Sequence, residues 1–147
     1  LTERVKAHAE KEGARMAIIS AAIEAEVSSL ESEEDKTEFL QSLGLTETGL
    51  ARVIREGYAL LNLITFFTIG PKEARAWTVH TGAKAPQAAG EIHTDFERGF
   101  IRAETVACAD YLDLKGEQGA KAAGKLRLEG KEYVVQDGDI FHFLFNV

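Results

Sequence analysis

Cysteine, long apolar runs and positive charge are all scarce in this chain, and each scarcity excludes something. One cysteine, Cys108, in 147 residues rules out an internal disulfide framework and fits a reducing compartment, so a cytoplasmic location is expected. With no histidine near it in sequence, Cys108 reads as a core thiol. No apolar stretch approaches the roughly 18 to 20 residues that cross a bilayer, so no membrane partner is expected. Lys and Arg number 17 against 24 Asp and Glu, a net charge of −7. Neutralising phosphates takes Lys and Arg, so DNA is not an expected partner, and any contact with RNA has to rest on a local basic face. Residues 1–63 hold 12 acidic and 7 basic side chains, and residues 64–147 hold 12 and 10, which puts such a face in the second half. The histidines have no cysteine partners and no H-x₃-H spacing, so no metal site is assigned. The serines lack a G-x-S-x-G elbow. No catalytic residue is assigned.

What is present reads as a soluble globular chain, at 45% hydrophobic and 28% charged residues. It opens on Leu1 and "TERVKAHAEKEGARMAIIS", without Met or a basic-then-apolar signal, and reads as a chain entered in mid-sequence. Residues 2–13 predict a helix ended by Gly13. Residues 15–20, "RMAIIS", predict a buried strand, and residues 20–30 a further helix. Such an α/β unit lacks most of its sheet and has nowhere to bury Met16, Ile18 and Ile19. Residues 31–45 predict a charged amphipathic helix with Gly44 as its cap. In residues 46–63, Leu50, Val53, Ile54, Gly57, Tyr58 and Leu61 fall on one helical stripe, and Gly57 within it suggests a close neighbour.

From about Ile64 the period changes from 3.6 to 2. "ITFFTIG" and "EARAWTVHTG", joined by Gly70-Pro71-Lys72, predict a β-hairpin, with Trp77 and Val79 on one face and Ala76, Thr78 and His80 on the other. Residues 85–93 predict a short helix with Pro86 in its first turn and Ala88, Ala89 and Ile92 facing inward. Residues 99–107 read as a strand, 110–114 as a helical turn, and the remainder as two or three strands ending in 140–147. The order ββ, helix, β, helical excursion, ββ is that of an α+β fold of the ubiquitin-like β-grasp kind.

Three stretches invite a chemical reading. His93, Asp95 and Glu97 alternate in "GEIHTDFERG", which on a strand would set them on one face. His93, however, falls at the end of the predicted helix. A structural role is expected instead, with His93 capping helix carbonyls and Asp95 fixing the following turn. "GAKAAGKL" holds G-x-x-x-x-G-K, yet Leu126 stands where a phosphate loop needs Ser or Thr, and the flanks are wrong for strand–loop–helix. Among the cations, Arg98 and Arg102 flank Phe-containing sequence and Lys121, Lys125 and Arg127 form a loose run, so these five are the candidates for contact with RNA or the ribosome. Lys84, Lys115 and Lys131 are further basic side chains that could share that role.

"GAKAPQAAGEIHTDFERGFIRAE" followed by "EYVVQDGDIFHFLFNV" resembles a TGS domain, the ubiquitin-like module of threonyl-tRNA synthetases, certain GTPases and stringent-response enzymes. The marks of that resemblance are Ile92-His93-Thr94-Asp95 and Gly138-Asp139-Ile140. The stretch from "RVIREGYALLNL" through "GFIRAE" and the terminal "FNV" resembles the YchF/Obg-like ATPases almost continuously. That resemblance implies a remnant of a P-loop nucleotide-binding domain over 1–30, a helical segment over 31–62 and a TGS domain over 63–147. It implies that Ser20, Ala21 and Glu24 belong to a loop touching the nucleotide base, while His93, Asp95, Gly138 and Asp139 are structural. The whole protein is expected to be an ATP-preferring hydrolase, using ATP or GTP with Mg²⁺ and associating with the ribosome or RNA. The phosphate-loop and magnesium motifs are not in this sequence, so this chain is expected to carry no cofactor and no turnover of its own. The other expectation is an intramolecular lid or protein-interaction surface without direct RNA contact.

Overall fold

Strand β1 (Leu63–Ile69) consists of leucine, β-branched and aromatic residues throughout, and β2 (Ala74–His80) places Trp77, Thr78 and Val79 in succession. The two form an antiparallel hairpin, closed by a bond from Gly70 N–H to the Glu73 carbonyl at 2.9 Å. The computed structural model describes residues 1–146; Val147, the end of the expected final strand and of the terminal "FNV", lies outside the described residues. β3 (Phe100–Ala107), β4 (Arg127–Glu129) and β5 (Asp139–Phe145) complete a five-stranded sheet of order β2-β1-β5-β3-β4. β1 and β5 run parallel, and every other pair is antiparallel. The architecture is α+β.

Alternation along the strands gives the sheet two faces. On one face, Phe66, Phe141 and Phe143 meet α5 (Ala85–Ile92), with Phe66 edge-on to Phe141 at 5.7 Å and to Phe143 at 6.2 Å. Ala85, Ala88 and Ala89 are fully buried there, because only small side chains let a helix axis lie this close to a phenylalanine-rich sheet. Pro86 sits in the first turn of α5, and the Lys84 N–H donates to Gln87 Oε1 at 2.8 Å. α6 (Thr94–Arg98) follows directly. The opposite face packs Val106 and Ile140 against Ala120 of α8 (Glu117–Ala122), with Tyr111 and Leu114 from α7 (Cys108–Asp113) and its C-terminal end. α6 and α8 were not expected from sequence; both are short and polar, and a window of five or six residues carries too little periodicity to reveal them.

The chain divides into two compact units, Leu1–Leu61 and Asn62–Val147. The first holds four helices, α1 (Thr2–Glu12), α2 (Ala21–Ser29), α3 (Glu33–Ser42) and α4 (Gly49–Leu60). Residues 15–20, expected as a buried strand, have no regular structure, and Ile18 and Ile19 are exposed. A strand needs a neighbouring edge, and among the described residues none pairs with this one; instead Arg52 donates to the Ile18 carbonyl at 3.1 Å. The α4 stripe is also uncovered. Leu50 is 64% and Ile54 52% exposed, and a methyl group added at Gly57 would meet nothing within 4 Å, so Gly57 marks no close contact.

Candidate functional site

The five basic residues singled out in the sequence do not converge. Arg98 ends α6 and Lys121 lies in the last turn of α8, both exposed. Arg102 stands opposite Leu144 on the α7–α8 face of the sheet, whereas Arg127 stands opposite Thr105 on the α5 face. Lys125 is paired with Asp110 at 3.3 Å. Arg127 is held by Glu129 at 3.3 Å and Asp139 at 3.4 Å, and it donates to the Tyr133 hydroxyl at 3.2 Å. Burial alone would lower the Arg127 pKa, but the hydrogen bond to Tyr133 and the negative groups Asp139 and Glu129 hold it above its ordinary value.

Asp139 is the anchor of that cluster. Its buried carboxylate accepts from the Tyr133 hydroxyl at 2.8 Å and from the Gln136 N–H at 2.9 Å. Burial first, and then the bond donated to Asp139, push the Tyr133 phenol above its usual range. Gly138 has φ +81, its N–H donates to the Thr65 carbonyl at 2.8 Å, and its carbonyl accepts from Cys108 N–H at 2.9 Å. Together with Asp137, which accepts from Thr65 N–H at 2.8 Å, this turn sets β5 beside β1.

His93 does end α5, through its backbone: its N–H donates to the Ala89 carbonyl at 3.2 Å, while its side-chain Nδ1 accepts from the Asp95 N–H at 3.1 Å and caps the start of α6. The same Nδ1 lies 3.5 Å from Asp95 Oδ2. In the first unit, Ser20 caps α2 and Ala21 opens it. Glu24 accepts from Gly49 N–H at 2.7 Å and from Leu50 N–H at 3.3 Å, closing the N-terminus of α4 with a negative charge. "GAKAAGKL" occupies the end of α8 and the turn into β4, an order of helix, turn and strand that cannot cradle phosphates. Among the described residues no group of three or more His, Cys, Asp or Glu is placed to hold a metal ion.

The feature that sequence reasoning missed is a cavity of about 460 Å³ on the α5 face. It opens where β1 leaves β5. The pairing of those two strands covers only Phe67 with Ile140 and Thr68 with Phe141, and beyond it the Gly70–Glu73 turn swings away while β5 continues to Phe145. Trp77, Ile92, Phe96, Phe143 and Phe145 line it, with Lys72 and Glu73 from the turn. Phe96 and Phe145 stack at 3.9 Å, Trp77 Nε1 donates to Thr68 Oγ1 at 2.9 Å, and the Arg75 guanidinium lies 4.4 Å over the Trp77 ring. The spacing R-A-W that puts Arg75 and Trp77 on one face was legible in the sequence. That Phe96 and Phe145, far apart along the chain, close the other side was not.

Fold and site together define an α+β protein whose second unit is a mixed five-stranded sheet with helices on both faces and an aromatic cavity at the fork of its parallel strands. The family profile YchF-GTPase_C, described as "Protein of unknown function (DUF933)", matches residues 63–146, and the chain belongs to the YchF family. The protein named "Ribosome-binding ATPase YchF" of Haemophilus ducreyi is 63% identical over 145 residues, 99% of this chain and 40% of that protein. Its namesake in Bacillus subtilis is 56% identical over 144 residues, 98% of this chain and 39% of that protein. The chain thus spans about 40% of the length of the curated relatives it matches. The structure of the Schizosaccharomyces pombe YchF GTPase superimposes with a TM-score of 0.77 at 39% identity, over 97% of this chain and 38% of that one. A GTP binding protein from Pyrococcus horikoshii gives 0.65 at 22% identity, over 98% and 41%, a likeness of fold alone.

Proposed function

We propose that this chain is the regulatory and binding part of a ribosome-associated, ATP-preferring P-loop NTPase acting in the cytoplasm, and that it contacts the ribosome or RNA while ATP or GTP is hydrolysed with Mg²⁺ by other parts of the protein. The observation that carries this reading is 63% identity, across nearly the whole chain, to a protein named for ribosome binding and ATPase activity. In this reading residues 63–147 form a TGS domain of β-grasp type. A mixed sheet with parallel β1 and β5 at its centre and α5 packed across one face supports it. Residues 1–30 belong to the nucleotide-binding domain, and residues 31–62 relay its state. The carboxylate of Glu24 on the N-terminus of α4 supports such a relay, because it ties the segment containing Ser20 and Ala21 to that helix directly.

The second reading is a lid or protein-interaction surface without RNA contact, favoured by the uncovered row Leu50, Val53 and Ile54 on α4. Co-sedimentation of the chain with ribosomes at low and high salt separates the two. Binding that falls steeply with salt supports contact with RNA. Absence of the chain from the ribosome pellet at low salt sinks the ribosome contact of the first reading, and salt-insensitive capture favours the second.

A further inference from the structure

We infer that the cavity at the β1–β5 fork is a pocket for an unpaired base of single-stranded RNA, with Lys72 and Arg75 meeting the adjoining phosphates. This rests on the ribosome-or-RNA reading above and gives it an address. The volume, about 460 Å³, is that of a small-ligand site and accommodates a nucleoside. Its walls are aromatic: Trp77 on one strand, and the stacked pair Phe96–Phe145 contributed by α6 and β5. Planar rings bind bases of any identity through their π faces.

Recognition of a base edge takes hydrogen-bonding groups, and the fork supplies backbone. His142 and Ile69 both line the cavity. Their side chains project from the opposite face of the sheet, since Phe141 and Phe143 occupy this one, so it is their main chain that faces the cavity. Pairing with β1 stops at Phe141, which leaves the edge of β5 beyond it without a strand partner on that side. N–H and C=O groups there suit the Watson–Crick edge of a base.

The charge pattern favours a nucleic acid over an apolar peptide. Lys72 stands exposed at the rim, and Arg75 lies over the Trp77 ring; among the described residues neither forms an ion pair with a carboxylate. Lys84, Lys125 and Arg127, by contrast, are tied to Glu132, Asp110 and Asp139. Two cations beside an aromatic wall, against Glu73 alone, complement a base with its flanking phosphates.

Trp77 is the chain's only tryptophan, so fluorescence excited selectively at tryptophan, beyond the absorption of the three tyrosines, reports on this pocket. The full chain is titrated with single-stranded oligoribonucleotides of about eight nucleotides, a length within the usual site size of such grooves. Parallel titrations use duplex RNA, ATP as a free mononucleotide, inorganic phosphate and an extended apolar peptide. We expect saturable quenching by the single strand only. The exposed substitutions Lys72→Glu and Arg75→Ala together should weaken it by roughly tenfold or more, with a shallower salt dependence. Phe145→Leu should weaken it by at least about fivefold, from lost stacking. The inference is overturned by the absence of saturable quenching at about 1 mM strand, a concentration that reveals even weak binding. Quenching indifferent to Lys72→Glu and Arg75→Ala, equal response to duplex or to ATP, or response to the peptide alone would also overturn it. If the strand does not quench but the chain still sediments with ribosomes, the pocket assignment falls and the ribosome reading stands. If quenching is as expected but sedimentation fails, the pocket and RNA contact stand and ribosome association falls.

Discussion

The two units organise their apolar residues in opposite ways. In the second, Phe66, Ala85, Ala88, Ala89, Ala103, Phe141 and Phe143 form one buried cluster between sheet and helix. In the first, Val27 and Leu40 are the buried apolar side chains, and much of the tertiary linkage is polar. Glu24 caps α4, Arg52 reaches the Ile18 carbonyl, Glu47 pairs with Arg52 and Arg55, and Arg15 pairs with Glu56. Exposed ion pairs contribute little each, on the order of 0 to 1 kcal/mol, whereas burying a phenylalanine contributes about 1.5 to 3 kcal/mol. The difference teaches that apolar periodicity creates stability only where a second layer lies against it, and that the second unit should be the more resistant to denaturant.

The largest test of that contrast is Phe66→Ala. Emptying a site at the centre of the cluster should cost roughly 3 to 5 kcal/mol, read as a lower urea midpoint for the sheet unit; an unchanged midpoint would break the comparison. Gly99→Ala comes next. A Cβ there would lie 2.1 Å from the Asn146 carbonyl oxygen, so β3 and the end of β5 must separate, at a cost of about 1 to 3 kcal/mol in the same titration. In the first unit, Glu24→Ala removes the acceptor at the N-terminus of α4 and should cost about 1 kcal/mol, visible as lost helical circular dichroism; no loss would mean that Thr48, which also caps this end, suffices alone.

A smaller effect concerns pH. The Tyr133 pKa is raised in the folded state, so folding favours the protonated phenol. Its contribution is complete below the unfolded value of about 10 and declines as pH rises through the higher folded one. Stability measured across that range should fall more for the native chain than for Tyr133→Phe, and identical curves would contradict the assignment. Smallest of all, Leu50→Ser on the open stripe should change stability by no more than about 0.5 kcal/mol. A loss several times larger would show that something covers α4 in solution.

How much of this was legible in advance differs between elements for physical reasons. The hairpin of β1 and β2, α5 with its Pro86 start and inward alanines, and the Gly138-Asp139 turn were all readable, because each depends on residues adjacent in sequence. Residues 15–20 were misread because an apolar run reports a wish for burial and not the presence of an edge to pair with. His93 does end α5, as its place in the sequence suggests; its side-chain role at α6 was not legible, because that helix is only five residues long.

The sequence alone determined the family, the mixed α+β character and the strand and helix periods of residues 62–146, because those are set by side-chain pattern and turn chemistry within a few residues. Tertiary structure alone decided which cations are engaged and which are open. Lys125 and Arg127 meet Asp110 and Asp139 across the fold, while Lys72 and Arg75 remain beside Trp77. It also decided that a cavity exists at all. A fork between parallel strands joins residues some seventy positions apart, and no local pattern encodes where two such strands part.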